Sequence, residues 1–241
     1  MPSYPRLIPA GDTGLVVELG DDVSLATNAR VHALDRLVAA VSIKGVVETV
    51  PTNRSLFIAY EPLVVSIGEL DRAVRALLER ADEGSLDPAA RSWLIPIVYG
   101  GAFGVDLATV AAALRLDEAE VIARHAGRDY RVFMIGFQPG FSYLGALDPA
   151  LAISRREEPR ALIPAGTVSI AGAQTVINSV AAPSGWNLIG RTPVRLFDPD
   201  RAVPFLLAAG DRVRFKPVPA AEWAGLDARA ASGEIVAEPL S

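Results

Sequence analysis

The sequence predicts an α+β protein: a small α/β domain of the ferredoxin-like, split βαβ kind over 1–88, then a β-rich barrel domain over 89–241. Three observations carry this reading. The N-terminal third runs β-α-β-β-α, the polar stretch DEGSLDPAAR (82–91) interrupts it as a linker, and beyond Tyr99 short apolar segments recur between Gly, Pro and Asp.

GLVVEL (14–19) has the length and β-branched content of a strand. From Ser24 to Ser42 the apolar Val31, Leu34, Leu37, Val38 and Val41 recur at helical spacing, which puts one stripe toward a core. GVVETV (45–50) and SLFIAYE (55–61) are further strands. Ser66 with Glu69 then makes a capping box for a helix that carries Leu70, Ala73, Val74, Leu77 and Leu78. The split βαβ sandwich needs one more strand, and SWLIPIV (92–98) either supplies it or opens the next domain. A glycine turn, GGAFG, leads into a short helix near 106–115, and Asp117 with Glu120 caps a second one that ends around His125. Segments 130–135, 167–171, 174–178, 186–190, 193–197 and 212–216 then read as strands, and their turn-rich spacing suits a barrel or rolled sheet better than an open parallel one. The Ala-rich stretch around Trp223 reads as a helix followed by a final strand.

Composition narrows the function classes. At 51% apolar and 21% charged residues the chain can bury an ordinary globular core. It has no cysteine, which removes disulfides and thiolate chemistry and leaves the cytoplasm as the expected compartment. MPSYPRLIPAGDTG lacks the apolar core of a secretory signal, and no apolar run approaches the roughly 20 residues that cross a bilayer, so no membrane association is expected. Net charge is −5, lysine occurs only at Lys44 and Lys216, and no basic stripe is visible, which argues against nucleic acid. His32 and His125 lie far apart in sequence, so no histidine metal centre is expected.

Three stretches carry candidate chemistry. In FMIGFQPGFSYLGALDP (133–149) Phe133, Phe137, Phe141 and Tyr143 are interleaved with Gly136, Pro139, Gly140 and Gly145, the pattern of a shaped loop. Such rings either plug a barrel mouth or form the dry wall of a substrate pocket with oriented amides nearby. RREEPRALIPAGTVSIAGAQT (155–175) gathers Arg155, Arg156, Arg160 and Gln174. Guanidinium groups grip carboxylates bidentately and a carboxamide can both donate and accept, although Glu157 and Glu158 are alternative partners for the arginines. PSGWNLIGRTP (183–193) sets Trp186 and Arg191 around glycine turns, suited to a lining wall and an anion contact, while a core tryptophan is the plainer reading. His125, with an ordinary pKa of about 6.5, is a candidate general acid or base or else a helix-terminal capping residue. There is no G-x-x-x-x-G-K-[ST] loop and no G-x-S-x-G elbow. YGGAFG, between strand and helix, has the placement of a phosphate-binding turn but lacks the lysine.

In this order the glycine-aromatic clusters resemble the PxpB/KipI family, which takes in the PxpB components of 5-oxoprolinase and the allophanate hydrolase subunit 1-like proteins. The resemblance is carried by IPIVYGGAFGVDL (95–107), EVIARHAGRDYRVFMIGFQPGFSYLGALDP (120–149), RREEPRALIPAGTVSIAGAQT (155–175), PSGWNLIGRTPVRLFDP (183–199) and AGDRVRF (209–215). It implies a cyclophilin-like barrel as the second domain. It also implies work with PxpC (KipA)-like and PxpA-like partners as an ATP-dependent 5-oxoprolinase that opens 5-oxo-L-proline to L-glutamate and is inactive alone. ATP, with Mg a possible companion, would be held with or by the partners. On this reading Phe137, Gly140, Phe141, Tyr143, Arg155, Arg160, Gln174, Trp186 and Arg191 bind substrate and His125 is catalytic. The family also implies two alternatives, a KipI-type inhibitor of a sensor histidine kinase and an accessory subunit of urea carboxylase or allophanate hydrolase. The chain departs from the family pattern at Ala102, where an acidic residue is common, at Ser184, and at Asn178-Ser179, which replace a Tyr-Pro pair.

Overall fold

The fourth strand of the N-terminal sheet comes from the beginning of the chain. In the computed structural model, which describes residues 3–81 and 90–240, β1 (Arg6–Pro9) lies antiparallel beside β2 (Gly14–Glu18). With β3 (Val46–Pro51) and β4 (Ser55–Tyr60) they form a four-stranded sheet in the order β1-β2-β4-β3. β1 thus fills the edge that a strand after the second helix would occupy in a split βαβ sandwich. Helices α1 (Leu25–Val41) and α2 (Ile67–Leu78) supply the other half of the core, where Val31, Leu34, Val38, Leu70 and Val74 meet Leu15, Val17, Leu56 and Ile58. The capping box of α2 is present as read: Ser66 Oγ accepts from Glu69 N–H while Glu69 reaches back to Ser66 N–H. This unit comprises Met1–Ala89 and a second comprises Ala90–Ser241; positions 82–89, most of the expected linker, lie outside the described residues.

SWLIPIV opens the second unit as β5 (Ser92–Tyr99). Two short helices follow, α3 (Leu107–Leu114) and α4 (Glu118–Ala126), the latter capped by Asp117, whose carboxylate accepts from Glu120 N–H. The remaining strands are β6 (Tyr130–Ile135), β7 (Ser142–Gly145), β8 (Arg160–Ile163), β9 (Thr167–Ala171), β10 (Gln174–Ile177), β11 (Ala182–Ser184), β12 (Asn187–Arg191), β13 (Arg212–Pro217) and β14 (Glu238–Pro239), with α5 (Trp223–Ala231) before the last. The sequence β12-β9-β10-β7-β6-β13-β5 closes because β12 also pairs with β5, giving a barrel; β14 extends β5, and β8 pairs with β11 outside the ring. β13 and β5 run parallel while the other pairings in the ring are antiparallel. Leu144, Val168, Ile170, Ile177, Ile189, Val213 and Phe215 fill the interior, with Leu107, Val110 and Val121 of the helices packed against them. Among the described residues no helix is long and apolar enough to cross a membrane.

Besides the unread strands β1, β8 and β11, two details differ from the sequence reading. Segment 193–197 is not a strand: Val194 and Leu196 are buried in the core, but only Phe197 makes a β-bridge, and Pro193 has no N–H to give a ladder. In the other direction, Ser142–Gly145 is a strand rather than part of a long loop, so the turn is confined to 136–141. Gly145 belongs to that strand because a Cβ there would lie 1.9 Å from the ring of Phe133, the residue skipped by the bulge between β6 and β7. Gly145→Ala is therefore expected to cost about 1–3 kcal/mol of stability by displacing that ring. Urea unfolding checks it, and Phe133→Leu added to Gly145→Ala should recover part of the loss; no recovery would show that the ring is not the obstacle.

Candidate functional site

Alternation along the barrel strands brings the sequence clusters to one outer face. In β10, Thr175 and Ile177 point into the barrel, whereas Val176 packs outside with Phe141, Ala171, Trp186 and Tyr143. Tyr143 of β7 stands opposite Val176, and Val176 stands opposite Ser169 of β9, which is itself opposite Leu188 of β12. Gln174, two positions before Val176 and opposite Ala171, shares this face. The rings form a continuous ladder: Phe137 to Phe141 at 5.5 Å, Phe141 to Tyr143 at 4.8 Å, and Tyr143 to Trp186 at 6.4 Å between centroids. The Arg155 guanidinium sits 5.4 Å from the Trp186 ring centroid and ends the ladder with a cation. Burial raises the pKa of the Tyr143 phenol, against the opposing pull of Arg155, so it stays protonated and able to donate. Phe141, Tyr143, Arg155 and Trp186, one or more from each stretch, therefore do meet.

Other predicted residues have different tasks. Phe137 is 67% exposed at the rim and holds a left-handed backbone, φ 69°. Gly140, φ 75°, is needed because a Cβ would come within 2.9 Å of Phe197 Cβ and 3.3 Å of Ser179 Cβ, so it fits the turn against the barrel. Arg191 is drawn off the ladder: its guanidinium lies 4.8 Å from the Trp223 ring centroid and its Nε donates to Ala165 O at 2.8 Å.

Arg160 and Arg156 converge on Asp106, a residue that the motif reading passed over. Arg160 makes a bidentate pair with it, Nη1 to Oδ2 at 2.8 Å and Nη2 to Oδ1 at 2.7 Å, and Arg156 Nη1 adds a contact at 3.2 Å. Leu188 N–H donates to the same carboxylate at 2.8 Å, which accounts for its burial at 4% exposure. The carboxylate partner of these arginines is thus Asp106 rather than Glu157 or Glu158, whose only contact with them among the described residues is the Glu158 carbonyl that accepts from Arg156 Nε, and Arg160 is spent on anchoring the 153–160 segment. Two backbone bonds complete that anchorage, Arg156 N–H to Gly185 O and Gly172 N–H to Ile153 O, and Arg155 projects from the segment so held.

His125 is placed away from the ladder, inside the barrel, with no exposed surface. Thr175 Oγ1 donates to Ser169 O at 3.1 Å, so its 3.0 Å contact with His125 requires the imidazole to donate from Nε2. Nδ1 is then the acceptor for the Tyr99 hydroxyl at 2.6 Å. Burial lowers the His125 pKa to about 3, and the rings of Tyr99, Tyr130 and Phe215 surround it. A neutral ring with both nitrogens committed in a sealed core has no substrate to reach, and the geometry corrects the general acid–base expectation to a packing role.

The GGAFG turn does not fit a phosphate. The N–H groups of Gly100, Phe103, Gly104 and Asp106 all donate to backbone carbonyls, and the carboxylate of Asp106, two residues past the turn, adds a negative charge beside it. Among the described residues no three His, Asp or Glu side chains gather as a metal-ligating set.

Residues 5–207 match the family described as carboxyltransferase domain, subdomain C and D. A 5-oxoprolinase subunit of the PxpB type from Escherichia coli O157:H7 is 44% identical, over 86% of this chain and 93% of the relative; its namesake from Bacillus subtilis (strain 168) is 37% identical, over 85% and 89%. The chain belongs to the PxpB family of 5-oxoprolinase subunits. Among solved structures TTHA0988 superposes with a TM-score of 0.74 at 37% identity, over 86% of this chain and 40% of the longer TTHA0988 chain. The urea carboxylase of Kluyveromyces lactis superposes at 0.80 over 97% of this chain and 24% of its own, at 21% identity, which marks a shared fold. On its ladder face this member of the PxpB family also carries Ser169 and Asn178; Ser169 has no signal in the sequence beyond its place in an alternating strand, and Asn178 stands out there only as a departure from the family pattern.

Proposed function

We propose that this chain is the PxpB component of a cytoplasmic, ATP-dependent 5-oxoprolinase, and that the ladder face of its barrel binds 5-oxo-L-proline for opening to L-glutamate with PxpC (KipA)-like and PxpA-like subunits. The observation that supports this most is the meeting of Phe141, Tyr143 and Trp186 with the Arg155 guanidinium on one strand-borne face. Apolar rings suit the methylene edge of a small saturated ring, and a guanidinium poised over an indole suits its carboxylate. The names of the relatives point to the same reaction. ATP, and any Mg with it, is assigned to the partner subunits, because the one glycine turn placed for phosphate is committed internally. The part of this chain is then to bind and orient the lactam in a dry site.

Reconstitution tests the proposal. Phosphate release from ATP that depends on 5-oxo-L-proline should require this chain together with both partners, and Arg155→Ala should raise KM about tenfold or more, the worth of one charge-assisted contact. Equal turnover with the chain omitted removes the reading.

A further inference from the structure

Under the aromatic ladder the sheet carries polar atoms that none of the described residues satisfies. Ser169 is fully buried, and its Oγ has no hydrogen-bond partner. Asn178 is 1% exposed, and both Oδ1 and Nδ2 lack partners. The two belong together: Ser169 stands opposite Val176, and Asn178, two positions past Val176 on the same side of the strand, donates its backbone N–H to Thr167 O, two positions before Ser169. That makes them diagonal neighbours, about 7 Å apart on the sheet, on the face that bears Phe141, Tyr143 and Trp186. The 136–141 turn packs next to Asn178, since Ser179 donates to Pro139 O and Gly140 abuts Ser179. In that turn Gln138 Oε1 is a further buried acceptor without a partner.

We infer that Asn178, assisted by Ser169, is a recognition site for the cis-amide edge of a small cyclic amide. A primary carboxamide with both ends unmet offers one donor and one acceptor side by side. A ring lactam presents its N–H and C=O on one edge in the complementary order, so the two close a pair of antiparallel hydrogen bonds. A carboxylate offers acceptors only and leaves Oδ1 facing an anion, and an aliphatic ring without an amide leaves both atoms unmet. Ser169 Oγ can donate to the lactam oxygen from the neighbouring strand. The lactam thus points at Asn178 while the ring lies against Phe141 and Tyr143 and the acid group faces Arg155. Entry requires displacement of the 136–141 turn, whose Phe137 at φ 69° is in a backbone region costly for a ring-bearing side chain. This assignment rests on the substrate-binding reading above and adds the chemistry by which the substrate is told apart.

The test is a panel titrated calorimetrically into the full chain, alone and in the assembled complex: 5-oxo-L-proline, its N-methyl derivative, 2-pyrrolidinone, L-proline and urea. Binding of 5-oxo-L-proline and, more weakly, of 2-pyrrolidinone is expected. The N-methyl compound, which keeps ring, carbonyl and carboxylate but lacks the N–H, should bind about tenfold to a hundredfold more weakly, and so should L-proline. Urea binding as tightly as the lactams would reassign the site to ureido compounds and overturn the cyclic-amide assignment. Asn178→Asp should lose about tenfold or more for 5-oxo-L-proline but not for L-proline. The N-methyl comparison uses the unaltered chain, so it stands even if that variant fails to fold. Equal binding of the methylated and parent lactams overturns the inference, as does a crystal structure of the complex with only water at the Asn178 amide and 5-oxo-L-proline elsewhere. Turnover of 5-oxo-L-proline without lactam selectivity in binding defeats this site but leaves the proposed function intact. Lactam-selective binding without turnover in the assembled complex does the reverse.

Discussion

Replacing Asp106 with alanine is expected to destabilise the barrel unit by about 3 kcal/mol, the low end of the range for removing one member of a buried charged group. The low end applies because the Arg156 and Arg160 side chains keep 31% and 27% of their surface and recover some hydration when the carboxylate goes. The Leu188 N–H does not recover, since it lies in the β12 ladder under the 153–160 segment. Asp106→Asn retains an acceptor for that N–H while removing the charge, so about half of the loss is expected from it. Equal losses for the two variants, read from urea midpoints at constant slope, would show that the acceptor kept for Leu188 adds nothing and that the ion pairs carry the whole loss; an Asp106→Asn variant as stable as the native chain would show that the ion pairs add nothing. The functional consequence is separable. Arg155 owes its place over Trp186 to the segment anchored through Arg156 and Arg160, so in the proposed 5-oxoprolinase assembly Asp106→Asn is expected to raise KM while leaving kcat near its original value.

The Asp106 hub also shows which features sequence can carry. The capping box of α2 was readable because both partners sit three residues apart and the geometry is local. Asp106 and its arginines are separated by 50 and 54 positions, and neither GVDL nor RREEPR has a local feature that names the other. β1 was missed because RLIP is four residues bounded by prolines, too short for a period to register, and its partner β2 alone establishes it as a strand. β7 was hidden for the opposite reason. Its glycine looks like a turn signal, yet Gly145 is there to admit the Phe133 ring. The meeting of the aromatic and Trp–Arg stretches was readable in kind, because large rings beside glycine have few places to go. The share of Arg160 and Arg191 in it was not, since an arginine takes whichever partner the fold presents, here a buried carboxylate and the face of Trp223.

Acid should unfold the protein earlier than its carboxylates alone would dictate, and His125 is the reason. Its pKa falls from about 6.5 in the unfolded chain to about 3 in the folded one. Between these values the unfolded state binds the extra proton, so stability rises with pH across the window. The contribution is fully present above about pH 6.5 and declines by about 1.4 kcal/mol for each unit as pH falls toward 3. Protonation cannot be absorbed locally: Nδ1 already accepts from the Tyr99 hydroxyl, which would have to turn away, and the rings of Tyr130 and Phe215 offer no counter-charge. His125→Gln keeps an acceptor and a donor in the core but removes the titration. It is expected to be less stable than the native chain at pH 7, because an amide fills the space between those rings poorly, and to close the gap at pH 5. Urea midpoints at pH 7, 6 and 5 measure the two slopes. Parallel profiles would mean that the folded protein accepts the proton without cost, and a histidine that titrates normally would be open to solvent and available again as an acid or base.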